Sequence, residues 1–112
     1  MLSMMVSGNL GRDAELRDTR GGKVCSFSLA VARKRSGESQ TMWLDCSLWG
    51  ERGEKLCQYL LRGSSVACLG DFWLEECDGK SYPKLTVHDL QFLGSRDRGH
   101  SAQPPQQSGL PL

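Results

Sequence analysis

Thr41-Met42-Trp43-Leu44-Asp45-Cys46-Ser47-Leu48-Trp49 is the stretch on which the reading of this chain turns. Leu44, Cys46 and Leu48 alternate with Trp43, Asp45, Ser47 and Trp49. Strict alternation of this kind marks a β-strand, whose side chains project to opposite faces in turn. The Leu-Cys-Leu set is an adequate core-facing stripe by itself. Trp43 and Trp49, six residues apart, then share the opposite face. A core already supplied does not require two indoles, so they are expected at the surface. The competing role is burial in the core or in a subunit contact, because indoles are highly buried on average.

The rest of the chain also reads mostly as short strands. A first strand covers about residues 2–7 and stops at Gly8-Asn9. An irregular charged segment follows, broken at Gly21-Gly22. A second strand spans 24–32, where Phe27, Leu29 and Val31 alternate with Ser26, Ser28 and Ala30. The polar run 33–40 reads as a long loop into the tryptophan strand, the third. A helix is expected over 51–62, with Leu56, Tyr59 and Leu60 on one face and Gly63 as its stop. A fourth strand spans 65–77, Asp78-Gly79 signals a hairpin turn, and a fifth strand spans 82–93. The expected class is all-β with one helix. Five strands with the helix between strands 3 and 4 is the layout of the OB-fold, a small Greek-key barrel. Residues 1–94 are expected to form this domain, and 95–112, rich in Ser, Gln, Gly and Pro, a disordered tail.

With 112 residues and a net charge of +1, the chain suits one domain and carries no global basic field. The charge is unevenly spread. Residues 1–35 hold seven basic and three acidic side chains, whereas 71–94 hold two basic and five acidic. Five cysteines, at 25, 46, 57, 68 and 77, include no C-x-x-C pair, and His88 and His100 stand alone. A structural zinc site needs paired ligands at short spacing, so no metal or other cofactor is expected. Most of the cysteines lie among apolar residues, where a free thiol acts as a small hydrophobe. A reduced, cytoplasmic chain without structural disulfides is expected. The first six residues are apolar but too short and uncharged for a signal peptide, and no stretch approaches a membrane span.

Catalysis finds little support. No Ser/His/Asp arrangement and no glycine-rich phosphate loop is legible. Glu75 and Glu76 are adjacent, so on a strand they point to opposite faces and cannot act as a pair. Binding finds more. Proteins that hold unpaired nucleic-acid strands combine cations along the phosphates with aromatic faces on which bases stack. Trp43 and Trp49 are candidates for stacking. Trp73 is a third, because it shares the outward parity of its strand with Leu69 and Asp71, although core or subunit contact is an equal alternative. Leu69 is a candidate for burial between subunits. For phosphate contact the candidates are Arg33, Lys34 and Arg35, next to the tryptophan strand, and Arg12 and Lys23 before the second strand. The plain alternative for these cations is a solvated charge run.

These residues carry a resemblance. Gly8-Asn9-Leu10-Gly11-Arg12-Asp13-Ala14-Glu15-Leu16-Arg17, the Phe-Ser-Leu-Ala-Val strand at 27–31, Trp43, Leu48-Trp49-Gly50, and Tyr59-Leu60-Leu61-Arg62-Gly63-Ser64 occur in order. The chain thereby resembles the bacterial single-stranded DNA-binding protein family, SSB, over about residues 3–94. The resemblance implies an OB-fold, a homotetramer or alternatively a dimer, and bases stacked on Trp43 and Trp49. The chain also departs from the family. Ala14 replaces a usual proline, Arg35 occupies a third stacking position, and a fourth falls near Cys77, so that Trp73 becomes a displaced substitute. Asp71, Glu75 and Glu76 make the fourth strand acidic where relatives are basic. A lower affinity and a shifted DNA path follow. The sequence ends Ser-Gly-Leu-Pro-Leu without the acidic tip that recruits replication and repair proteins, which suggests a mobile-element or specialised version.

The expected function is sequence-tolerant binding and protection of single-stranded DNA in replication, recombination, repair or DNA transfer. One alternative is a dimeric primosomal accessory protein that also binds a helicase. Another is an OB-fold module that binds protein partners through the tryptophans.

Overall fold

A computed structural model describes residues 2–95. The expected tail at 96–112 lies outside the described residues. The elements are β1 (Ser3–Leu10), β2 (Glu15–Thr19), β3 (Gly22–Arg35), β4 (Glu38–Trp49), α1 (Gly50–Leu56), a single 3-10 turn (Cys57–Tyr59), β5 (Ser64–Cys77) and β6 (Lys80–Ser95). The sheet runs β1-β5-β6-β4-β3-β2, and β1 pairs again with β3 through Asn9↔Ala30 and Leu10↔Leu29. Five long strands therefore close into a ring, which removes the open edges of a flat sheet. All pairings are antiparallel except β4 with β6, which run parallel at Asp45↔Lys84, Cys46↔Leu85 and Ser47↔Thr86. The five-strand, one-helix OB-fold layout expected from element order is present.

The ring has a sixth, short strand that the sequence does not advertise. Residues 15–19, expected to be irregular, form β2 as an outer partner of β3, in register Glu15↔Ser26 through Thr19↔Gly22. Every residue of β2 is exposed, so no apolar alternation marks it. The ladder with β3 makes the strand, and its charged side chains suit an uncovered edge. Its turn is tied by Thr19, whose hydroxyl accepts from the Gly21 N–H and donates to the Gly22 carbonyl.

The expected long loop at 33–40 is corrected more sharply. β3 and β4 stay paired out to Arg35↔Glu38, and the connection is only Ser36-Gly37. Both turn residues have positive φ, 56° and 81°, the conformation that matches the twist of a two-residue hairpin. Charged residues are weak strand formers, but the ladder holds them extended. Asp78-Gly79, with φ of 51° and 79°, makes the second such turn, as expected.

The helix is shorter than expected. It ends at Leu56, tightens into the 3-10 turn, and leaves helical geometry at Leu60. The tighter pitch rotates the buried face onto Cys57 and Leu60, and Tyr59 turns out to solvent with 60% of its surface exposed. Gly53, which weakens a helix by propensity, is buried where α1 lies across the ring. A Cβ at that position would collide with the Leu48 carbonyl oxygen.

The interior is filled by Leu10, Phe27, Leu29, Leu44, Leu48, Leu60, Val66, Leu85, Val87 and Leu90 together with four thiols. Cys25, Cys46, Cys57 and Cys68 are buried and free, and Cys77 is exposed. The Cys25 sulfur donates to the Cys57 sulfur at 2.7 Å. Burial, and then the Cys57 thiol, push the Cys25 thiol above its ordinary range. The Cys68 thiol, and then burial, do the same for Cys46. No helix among the described residues is long and apolar enough to cross a membrane.

Two expectations follow. Gly53→Ala should destabilise the chain by about 1–3 kcal/mol, the range for overpacking, read from a denaturant midpoint. The thiols also set an alkaline limit. Raised folded-state values mean that the folded chain keeps protons that the unfolded chain releases above the ordinary thiol value of 9.0. In reductant the melting midpoint should hold up to about pH 9 and fall above it, and Cys46→Ala should flatten that fall.

Candidate nucleic-acid interface

The inner row of β4 carries the core: Leu44, Cys46 and Leu48 are each no more than 2% exposed. The outer row holds Trp43, 53% exposed, and Trp49, 45% exposed. At about 3.3 Å per residue the two indoles stand roughly 20 Å apart along the strand. On β3 the neighbour of Trp43 is small, whereas that of Trp49 is the buried Val24. Ala30 stands opposite Trp43, Ser28 opposite Asp45 and Ser26 opposite Ser47. Between the two indoles this flank carries only short side chains, and each ring keeps about half of its surface exposed.

On the other flank, the parallel pairing with β6 sets Lys84 beside Asp45 and Thr86 beside Ser47. β5 continues the row with Trp73 opposite Lys84 and Asp71 opposite Thr86. Trp73 is thus brought to the same outer face as Trp43 and Trp49, two strands away. Its indole N–H donates to the Thr86 hydroxyl at 3.3 Å, which fixes one edge of the ring while the side chain stays exposed.

The cations separate into two groups. Arg33, Lys34 and Arg35 lie at the far end of the β3–β4 ribbon, exposed, and form no ion pair among the described residues. Strand alternation puts Lys34 on the Ala30 side, which is the Trp43 side, and Arg33 and Arg35 on the other. Arg12 lies next to Trp43, where Gly11, Arg12, Ser28 and Trp43 line a cavity of about 270 Å³. Lys23 is not brought to this face. Its ammonium pairs with Glu54 of α1 at 3.3 Å, at the helix end of the ring.

Sequence reasoning missed Lys84, the central cation of the face. It bonds Asp45 at 3.0 Å and lies 3.8 Å from Glu75, so its one charge is shared between two carboxylates. Its even spacing from Thr86 on a strand was a readable signal of outward orientation, but not of its partners on other strands. Also missed was Asp13, whose carboxylate accepts the Arg62 backbone N–H at 2.8 Å. Arg52 of α1 bonds the His88 carbonyl oxygen and the Asp89 carboxylate at 2.9 and 2.7 Å. That guanidinium holds the Asp89 carboxyl below the usual carboxylate range. His88 Nε2 and Asp71 Oδ2 are 3.0 Å apart.

Among the described residues no group of three or more His, Cys, Asp or Glu could hold a metal ion. The face can offer stacking surfaces, hydroxyls and cations. These are groups that hold a flat, anionic polymer without breaking bonds.

Residues 1–93 match the model of the single-strand binding protein family. The chain is 38% identical over 101 residues to the single-stranded DNA-binding protein of Treponema pallidum, with 82% of this chain and 57% of that protein covered. It is 33% identical over 102 residues to single-stranded DNA-binding protein 1 of Synechocystis, covering 84% of each. Among solved structures, a small single-stranded DNA-binding protein from Streptomyces coelicolor superposes with a TM-score of 0.69. That match covers 81% of this chain and 91% of the other at 15% identity, and it establishes the fold.

The two faces of β4 should respond oppositely to truncation. Leu44→Ala should destabilise by about 2–5 kcal/mol, as for a buried leucine. Trp43→Ala should move stability by well under half of that, within the range of exposed substitutions. Equal losses in chemical denaturation would mean that the indole carries core weight.

Proposed function

The chain belongs to the single-strand binding protein family, and on that premise we propose that it binds single-stranded DNA without sequence preference and without catalysis. Bases stack on Trp43 and Trp49, and Trp73 extends the platform. Arg12 and the Arg33-Lys34-Arg35 ribbon contact phosphates. The supporting observation is that both β4 indoles stand open on one face while the other face of the same strand fills the core. Stacking is available without rearrangement of the interior. Lys84, engaged with Asp45 and Glu75, contributes less to phosphate contact than its position suggests. With only part of its cationic charge available, the face should release few counterions on binding, so its affinity should depend only modestly on salt.

The same reading includes a homo-oligomer, with a tetramer favoured over a dimer. Met5 and Leu69 are paired across β1 and β5, and both are exposed, Met5 at 72% and Leu69 at 40%. Burying such a pair between copies is the simplest use for it. A protein of this kind works on unpaired DNA in the cytoplasm, during replication, recombination, repair or transfer.

Tryptophan fluorescence should fall on titration with oligo-dT. Trp43→Ala and Trp49→Ala should each weaken binding by about 5- to 150-fold, equivalent to the ~1–3 kcal/mol of one stacked base. A folded double variant that binds as tightly as the parent would refute the platform. Light-scattering mass should report more than one copy, and Leu69→Glu should reduce it.

A further inference from the structure

Two glycines lie under the two indoles, and they do so differently. A Cβ built at Gly11 would stand 2.6 Å from Cζ3 and 2.7 Å from Cη2 of Trp43. A Cβ at Gly21 would stand 3.6 and 3.9 Å from Cζ3 and Cη2 of Trp49, an ordinary contact. Neither glycine has a positive φ, so alanine can adopt either backbone conformation. The outer ring of Trp43 therefore rests directly on the Gly11 backbone, at a depth no other residue allows.

The wall beneath the ring is held from several sides. The Gly11 N–H donates to the Ser28 carbonyl at 3.3 Å, and the Gly63 N–H to the Leu10 carbonyl at 2.9 Å. The Ala14 N–H donates to the Leu60 carbonyl at 2.9 Å, and Asp13 accepts from the Arg62 N–H. Asn9 Nδ2 donates to the Ser65 hydroxyl at 2.8 Å. Backbone anchored in this way does not yield when the ring presses on it. The exposed ring would yield instead. The adjoining cavity, about 270 Å³ between Trp43, Arg12 and Ser28, is close to the ~300 Å³ lower end of small-molecule pockets.

We propose that Gly11 is the positioning residue of the Trp43 subsite. It lets the indole lie back on the chain and opens beside it a slot for one unpaired nucleobase, lined by Arg12 and Ser28. This rests on the stacking role proposed above for Trp43. The platform is then asymmetric. Trp43 is seated in a fixed slot, whereas Trp49 lies over Gly21 with room to spare.

The test compares full-length variants by oligo-dT titration, with circular dichroism and melting to confirm folding. Gly11→Ala should weaken binding at least ~5-fold, the low end for one lost stacking contact. Gly21→Ala should bind as the parent does. In a Trp43→Ala background, Gly11→Ala should add nothing further. In a Trp43→Phe background, whose smaller ring lacks Cζ3 and Cη2 of the indole, it should also be silent. If Gly11→Ala lowers stability too far to titrate, Asp13→Ala loosens the same wall and should weaken binding only when Trp43 is present. Parental binding by folded Gly11→Ala, with Trp43→Ala weakened, would overturn this proposal and leave the stacking role standing. An equal Gly11→Ala loss with and without Trp43 would also overturn it. Parental binding by Trp43→Ala would remove the stacking role itself.

Discussion

The inward row of β4 packs against Leu29 on β3 and Leu85 on β6, its neighbours across the sheet, and this apolar contact supports the rest of the molecule. Each fully buried leucine of this kind contributes about 1.5–3 kcal/mol relative to exposure. Because Leu44, Cys46 and Leu48 satisfy the interior, the outward row of the same strand is released from packing. Two large aromatic residues can then stay in water on a rigid backbone. The cost of exposing them is met by a core that does not include them.

Closure of the ring makes that arrangement rigid. β1 meets β5 on one side and β3 on the other, so the chain near Gly11 is pinned between the start of β5 and the middle of β3. The parallel contact of β4 with β6 carries Lys84 and Thr86 into the row beside Asp45 and Ser47, and β5 then delivers Trp73. The face is assembled from β3, β4, β5 and β6, and its members are distant in sequence. Lys84 and Asp45, the bonded pair at its centre, are 39 residues apart.

Electrostatics on this face are local. Arg12 and Lys34 stand at its margins with no ion pair among the described residues, while at its centre the one Lys84 ammonium faces two carboxylates, Asp45 and Glu75. At the end of β5, Glu75 keeps to this face, 3.8 Å from Lys84, and strand alternation turns Glu76 to the other.

Features with a period of two need no tertiary information. The inside and outside of β4, the alternation in β3, the parity of Trp73 and the Asp78-Gly79 turn were all legible, because successive side chains on any strand must point to opposite faces. The motif run from Gly8 to Arg17 and the Trp43 and Trp49 pair carried the family in the same way. Tertiary structure alone decided what depends on pairing. Residues 15–19 become a strand because β3 supplies a ladder, and Arg33-Lys34-Arg35 stay extended because Glu38 to Gln40 lie opposite. Only the closed ring sets Lys84 against Asp45 and lays Trp43 on Gly11. Alternation is a property of the local backbone, whereas these contacts join residues whose distance is fixed only when the ring closes.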